Sequence, residues 1–322
     1  INNEIQNDDA ILFKPDTSYR LAQSEGWGKP NTLLTGENHP NGVIINYYLK
    51  SLKKDDYLRI DIENKDGSLI RSFSNNKNIT IKNNTYKKNL MIGNPVLSNP
   101  NDIDNALDSG NIGSLSPKSG GNRLIWDMRY PGFKSFDGMV LYSSPNVGPK
   151  VTPGKYNLKM TYNNIVITKE LEIIKDPRIK SSQEDFEKQL EFLIEVRNEV
   201  SRANQKIIDI RKIKSDMSFI KDKADNDVSL KTLIDEYLID LSIIENNIHM
   251  TKNQSRQDPL NFGIRINNRI AFLLADSQRG DFAPTDQSME FFKDVKKELD
   301  IEADSLKEVI QSHSQKIKDY IV

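Results

Sequence analysis

Cysteine is absent from this 322-residue chain, which excludes disulfide scaffolds, thiolate nucleophiles, zinc ribbons and iron–sulfur clusters together. No run approaches the roughly 20 apolar residues of a membrane-crossing helix, so no membrane span is predicted. Histidine occurs only as His39, His249 and His313, and no pair has the i, i+4 spacing of a helical metal site. An excess of one charge is missing too. The 45 basic and 46 acidic side chains leave a formal net charge of −1. That balance gives no long-range pull on phosphate backbones, so no nucleic-acid partner is expected. The phosphate loop, Gly-x-Gly-x-x-Gly and Gly-x-Ser-x-Gly are absent as well. No cofactor and no metal are predicted.

What remains is a polar but foldable chain, with 36% hydrophobic and 28% charged residues and room for about two domains. Its start, Ile1-Asn2-Asn3, reads as that of a fragment or a processed product. From Tyr19 to Ile174 the apolar residues alternate in short runs. Val43 to Leu49 follows the turn signal Pro40-Asn41-Gly42, and Leu58, Ile60 and Ile62 keep a two-residue step. Asn64-Lys65-Asp66-Gly67 predicts a hairpin turn, because glycine tolerates positive φ. Arg123 to Tyr130, Lys155 to Tyr162 and Ile165 to Ile174 supply further strands. The pattern predicts an immunoglobulin- or fibronectin III-like β-sandwich over 23–176, with a long polar insertion at about 75–121.

Asp176-Pro177 closes the β region, and 177–322 reads as an antiparallel four-helix bundle. Ser181-x-x-Glu184 predicts a capping box, followed by a stripe through Phe186, Leu193, Val200 and Ile207. Leu230 to Ile248 forms the second helix. Asp258-Pro259 opens a third, carrying Phe262, Ile266, Ile270 and Leu273 and ended by Gly280. Pro284-Thr285 opens the fourth, with Met289, Phe292, Val295, Leu299 and Leu306 on one side.

Chemistry-bearing groups are sparse. His313 continues the last helix's apolar stripe and reads as a core histidine. Asp222, Asp225 and Asp227 lack the glycine and terminal glutamate of a calcium loop and read as a solvated turn. Asp127 and Asp137, flanking the Trp126 strand, are the nearest approach to an acid–base pair. Asp127 is better read as partnering Arg123 or Arg129. No catalytic residue is assigned. Trp126 alternates with Leu124 and Met128 and is a core residue, whereas Trp27, in Glu25-Gly26-Trp27-Gly28-Lys29, is the candidate binding contact.

The run Gly121-Asn122-Arg123-Leu124-Ile125-Trp126-Asp127-Met128-Arg129-Tyr130-Pro131-Gly132 resembles part of the C-terminal region of large bacterial secreted proteins. Those proteins carry sortilin-like or BNR-repeat (sialidase-like) β-propellers and are often labelled glycosyl hydrolases. Pro40 to Lys50, Pro153-Gly154-Lys155-Tyr156, Lys175-Asp176-Pro177-Arg178, Asn267-Asn268-Arg269 and Pro284-Thr285-Asp286-Gln287 support the resemblance in order. It implies that 1–22 is the propeller exit and first strand, and that the parent is secreted, periplasmic or envelope-associated. The implied role is a non-catalytic accessory region whose partner is the parent's own propeller, or a protein or glycan. The alternative is a carbohydrate-binding module or part of a glycoside hydrolase.

Overall fold

The computed structural model describes residues 8–21, 39–76 and 112–321. Two compact units divide the chain. The first comprises 1–132, 147–190 and 280–283, and the second comprises 133–146, 191–279 and 284–322.

Among the described residues the first unit is built on nine strands: β1 (Ala10–Leu12), β2 (Ser18–Arg20), β3 (Val43–Leu49), β4 (Leu58–Glu63), β5 (Leu69–Ser74), β6 (Ile112–Ser114), β7 (Gly120–Trp126), β8 (Gly154–Tyr162) and β9 (Ile165–Lys175). A three-stranded antiparallel sheet runs β1-β3-β7, and a six-stranded sheet runs β2-β9-β8-β4-β5-β6. The six-stranded sheet is mixed, since β2 lies parallel to β9 and β6 parallel to β5. It is curled into a half-barrel. The immunoglobulin- or fibronectin III-like sandwich is therefore incorrect. Two-residue alternation identifies a strand but says nothing about its neighbours. The two parallel edges come from three-residue strands too short to show any period.

One core joins the inner faces of both sheets. Val43, Ile45, Tyr47 and Leu49 of β3 meet Ile60, Leu158, Met160 and Leu171, with Trp126 and Met128 fully enclosed. Gly42 has φ +152°, and a Cβ there would lie 2.3 Å from the Trp126 carbonyl oxygen, so a side chain is excluded where β3 begins against β7. At the β4–β5 hairpin, Gly67 has φ +82° and its N–H donates to the Asn64 carbonyl at 3.0 Å.

The helices are α1 (Gln183–Lys223), α2 (Val228–Ile248), α3 (Pro259–Phe262), α4 (Ile266–Asp276) and α5 (Asp286–Ile321). This is not a set of four helices of similar standing. The helix expected from Pro259 stops after one turn at Gly263, whose φ is +77°, and restarts only at Ile266. Phe262, expected on its apolar face, is exposed, as is Met289 near the start of α5. The capping box at α1 is displaced by one residue. Ser182 Oγ accepts from the Asp185 N–H at 3.2 Å, and Asp185 Oδ2 accepts from the Ser182 N–H at 2.8 Å. The second unit's core gathers Leu193, Val196, Val200 and Ile207 with Tyr237, Leu241, Ile270, Val295 and Leu299.

Candidate functional site

Three cations gather in the first unit. Arg20, the last residue of β2, is buried, and its Nη2 lies 3.0 Å from Asp281 Oδ1 and donates to Gln189 Oε1 at 3.1 Å. Its guanidinium lies over the Phe186 ring, 4.6 Å from the centroid. Lys150 and Arg129 face each other across a single β-bridge. Lys150 Nζ donates to the Leu21 carbonyl at 2.9 Å, and Arg129 Nη1 to the Gly148 carbonyl at 2.6 Å. Burial, then the charges of Arg129 and Arg20, push the Lys150 ammonium down to about 8. Burial also lowers Arg20, against the opposing pull of Asp281. Among the described residues the Nε and Nη1 atoms of Arg20 and the Oδ2 atom of Asp281 have no hydrogen-bond partner.

A surface cleft of about 390 Å³ opens beside β2 and β3. Its lining includes Lys14, Asp16, Tyr19, His39, Asn46 and Arg123. Asn46 and Arg123 are register partners across β3 and β7, and Arg123 Nε donates to Asn46 Oδ1 at 3.1 Å. His39 Nδ1 lies 2.9 Å from the Pro40 carbonyl oxygen, an acceptor, so Nδ1 carries the proton.

The second unit uses its polar side chains internally. Asn267 Nδ2 donates to Asn204 Oδ1 at 3.1 Å and lies 3.2 Å from His249 Nδ1, and Asn204 Nδ2 donates to the Lys134 carbonyl at 2.6 Å. His249 packs edge-on against Phe136, and burial followed by the Arg211 charge pushes it down to about 4. Glu245 is buried with Arg211 Nε at 2.8 Å on one oxygen and Lys214 Nζ at 3.0 Å on the other. Asn268 accepts from the Tyr142 N–H at 2.7 Å and donates to the Tyr142 carbonyl at 3.0 Å, fastening segment 133–146 to α4. His313 is buried, stacked on Tyr237 at 4.7 Å, with Nε2 2.8 Å from Asp240 Oδ2. Helix α2 buries Ile234, Tyr237, Leu241, Ile244 and Ile248, yet it leaves Ile239 60% and Ile243 56% exposed on another face. Leu238, Ser242 and Asn246 border that stripe.

Of the residues singled out from sequence, Trp27 lies outside the described residues, as does most of the 75–121 insertion. Asp127 belongs to the first unit and Asp137 to the second. Asp127 Oδ1 accepts from the Arg129 N–H at 3.2 Å, while Arg123 turns to Asn46. Asp227 is the N-cap of α2, accepting from the Leu230 N–H at 2.9 Å and from Tyr320 Oη at 2.6 Å. Among the described residues no group of three acidic or imidazole side chains is placed to hold a metal ion. Nor, among those residues, is any helix long and apolar enough to cross a membrane. The Arg20–Asp281–Gln189 cluster and the cleft were missed from sequence, and only the outward-facing parity of Asn46 on β3 pointed toward the cleft.

No family model and no curated protein matches the chain. A solved structure titled "pT26-6p" aligns with 85% of this chain and 46% of its own length, at 9% identity and a TM-score of 0.17. The chain thus spans less than half of that structure, and a likeness at that score carries no argument.

Proposed function

We propose that this chain is a non-catalytic accessory and interaction region of a secreted or envelope-associated β-propeller protein with a glycosyl hydrolase-like parent. The observation that carries the interaction role is the Ile239–Ile243 stripe. Helix α2 already has a complete buried face, so a second apolar face one turn long is available to a protein partner. The parentage rests on the resemblance of Gly121 to Gly132 and its companions. The internal roles of those residues support a scaffold. Trp126 donates from Nε1 to the Arg129 carbonyl at 3.0 Å, Asn268 fastens segment 133–146, and Arg269 Nη1 pairs with Glu298 at 2.6 Å.

The test is a titration of this chain against the separately produced propeller of the parent. Binding that disappears in Ile239→Asp/Ile243→Asp, with unchanged circular dichroism, is expected. Undiminished binding by that variant removes the stripe from the account. Turnover of a chromogenic glycoside that vanishes in Asp127→Asn replaces the whole reading with a catalytic one.

A further inference from the structure

We propose that the cleft beside β2 and β3 is a binding site for a neutral saccharide, with Tyr19 as its stacking face. The inference concerns the first unit alone and stands whether or not the parent carries a propeller. Its volume, about 390 Å³, suits a small ligand rather than a protein surface. Tyr19 is 49% exposed on a three-residue edge strand, where its ring contributes little to the core. An aromatic face of this kind offers a flat apolar surface with a polar tip.

The polar groups around it are of both kinds. The Arg123 Nε bond to Asn46 Oδ1 uses one guanidinium donor and the amide oxygen. The Arg123 terminal nitrogens and the Asn46 amide nitrogen remain as donors toward a ligand. His39 spends its Nδ1 proton on the Pro40 carbonyl, which leaves Nε2 as the ring atom toward a ligand. Asp16 adds carboxylate acceptors to the lining. The cross-strand register holds the Arg123–Asn46 pair in place before any ligand arrives, which lowers the ordering cost of binding.

That combination selects a ligand class. A phosphate or carboxylate would be drawn by Lys14 and Arg123 but opposed by Asp16 and given no use for the aromatic face. A purely apolar ligand would strand the donors and acceptors without partners. A sugar ring presents C–H bonds on one face and hydroxyls, each both donor and acceptor, around its rim. Its C–H face suits the Tyr19 ring, and its hydroxyls suit Arg123, Asn46 and Asp16.

The experiment is saturation-transfer NMR on the full chain with cellobiose, maltose, lactose and diacetylchitobiose, backed by an array of neutral glycans. At least one sugar is expected to bind, Tyr19→Ala to weaken it about tenfold, and Tyr19→Phe to retain it. Asn46→Ala is expected to weaken binding without altering the thermal transition. Three outcomes overturn the proposal: no neutral sugar binds in either format, inorganic phosphate displaces the sugar, or binding is lost in Trp27→Ala but kept in Tyr19→Ala.

Discussion

The two units each bury a charged side chain, and they treat it in opposite ways. Glu245 in the second unit has a cation on each oxygen, from two residues that keep partial access to water. Among the described residues Arg20 in the first unit has a single carboxylate, Asp281, itself almost wholly enclosed, and two of its three guanidinium nitrogens have no hydrogen-bond partner. The consequence for Glu245 is a carboxyl held below its ordinary value, because the hydrogen bonds and charges of Arg211 and Lys214 outweigh its burial. For Arg20 burial wins, and the guanidinium is lowered. A buried charge costs less when its charged partners reach solvent than when its one counter-charge is itself enclosed.

Trp126→Ala sets the scale for the first unit. Emptying a fully enclosed indole site is expected to cost ~3–5 kcal/mol in urea unfolding followed by circular dichroism, and a loss under about 1 kcal/mol would remove Trp126 from the core. Asp281→Ala leaves Arg20 buried without its counter-charge and is expected to cost about 3 kcal/mol. The double variant Arg20→Met/Asp281→Leu should recover most of that loss. Glu245→Gln, by contrast, frees two cations that can turn to water, and about 1–2 kcal/mol is expected. Equal losses for Asp281→Ala and Glu245→Gln would erase the contrast.

Acid sharpens the same contrast through His249. Its folded value, about 4, lies below the unfolded value of about 6.5. The unfolded chain therefore takes up a proton first, and the stability present above pH ~6.5 falls as the pH drops toward about 4. His249→Gln should flatten that part of the profile, as read from urea midpoints across the range. The smallest effect belongs to the exposed stripe. Ile239→Asp/Ile243→Asp is expected to leave unfolding within about 0.5 kcal/mol of the parent chain.

Much of the local structure was legible and most of the pairing was not. The alternation of Val43 to Leu49 marks which residues face inward, and the burial of Val43, Ile45, Tyr47 and Leu49 follows it. Nothing in Ser18-Tyr19-Arg20 announces a strand, since three residues hold no period, and its parallel partner is found at Ile173 to Lys175. Ser181 and Ser182 were equally good caps by composition. What separated them was Asp185 at the third helical position, where it reciprocates Ser182. At Asp258-Pro259 the proline takes the first helical position but Asp258 makes no side-chain cap bond, and Gly263 at positive φ ends the turn, so that Ile266, Ile270 and Leu273 are buried from a separate helix. The Arg20 cluster was invisible for a different reason. Arg20 and Gln189 are 169 positions apart, and no spacing rule connects residues that only the folded sheet brings together.

The position of Asp281 bears on how the chain can be made. Residues 280–283 belong to the first unit, although 191–279 of the second are translated before them. A ribosome that has released every strand of the mixed sheet has not yet delivered the carboxylate that answers Arg20. The first unit is therefore completed only once residues 280–283 have emerged, and a shortened chain ending at Leu190 would keep Gln189 beside Arg20 but lack its carboxylate.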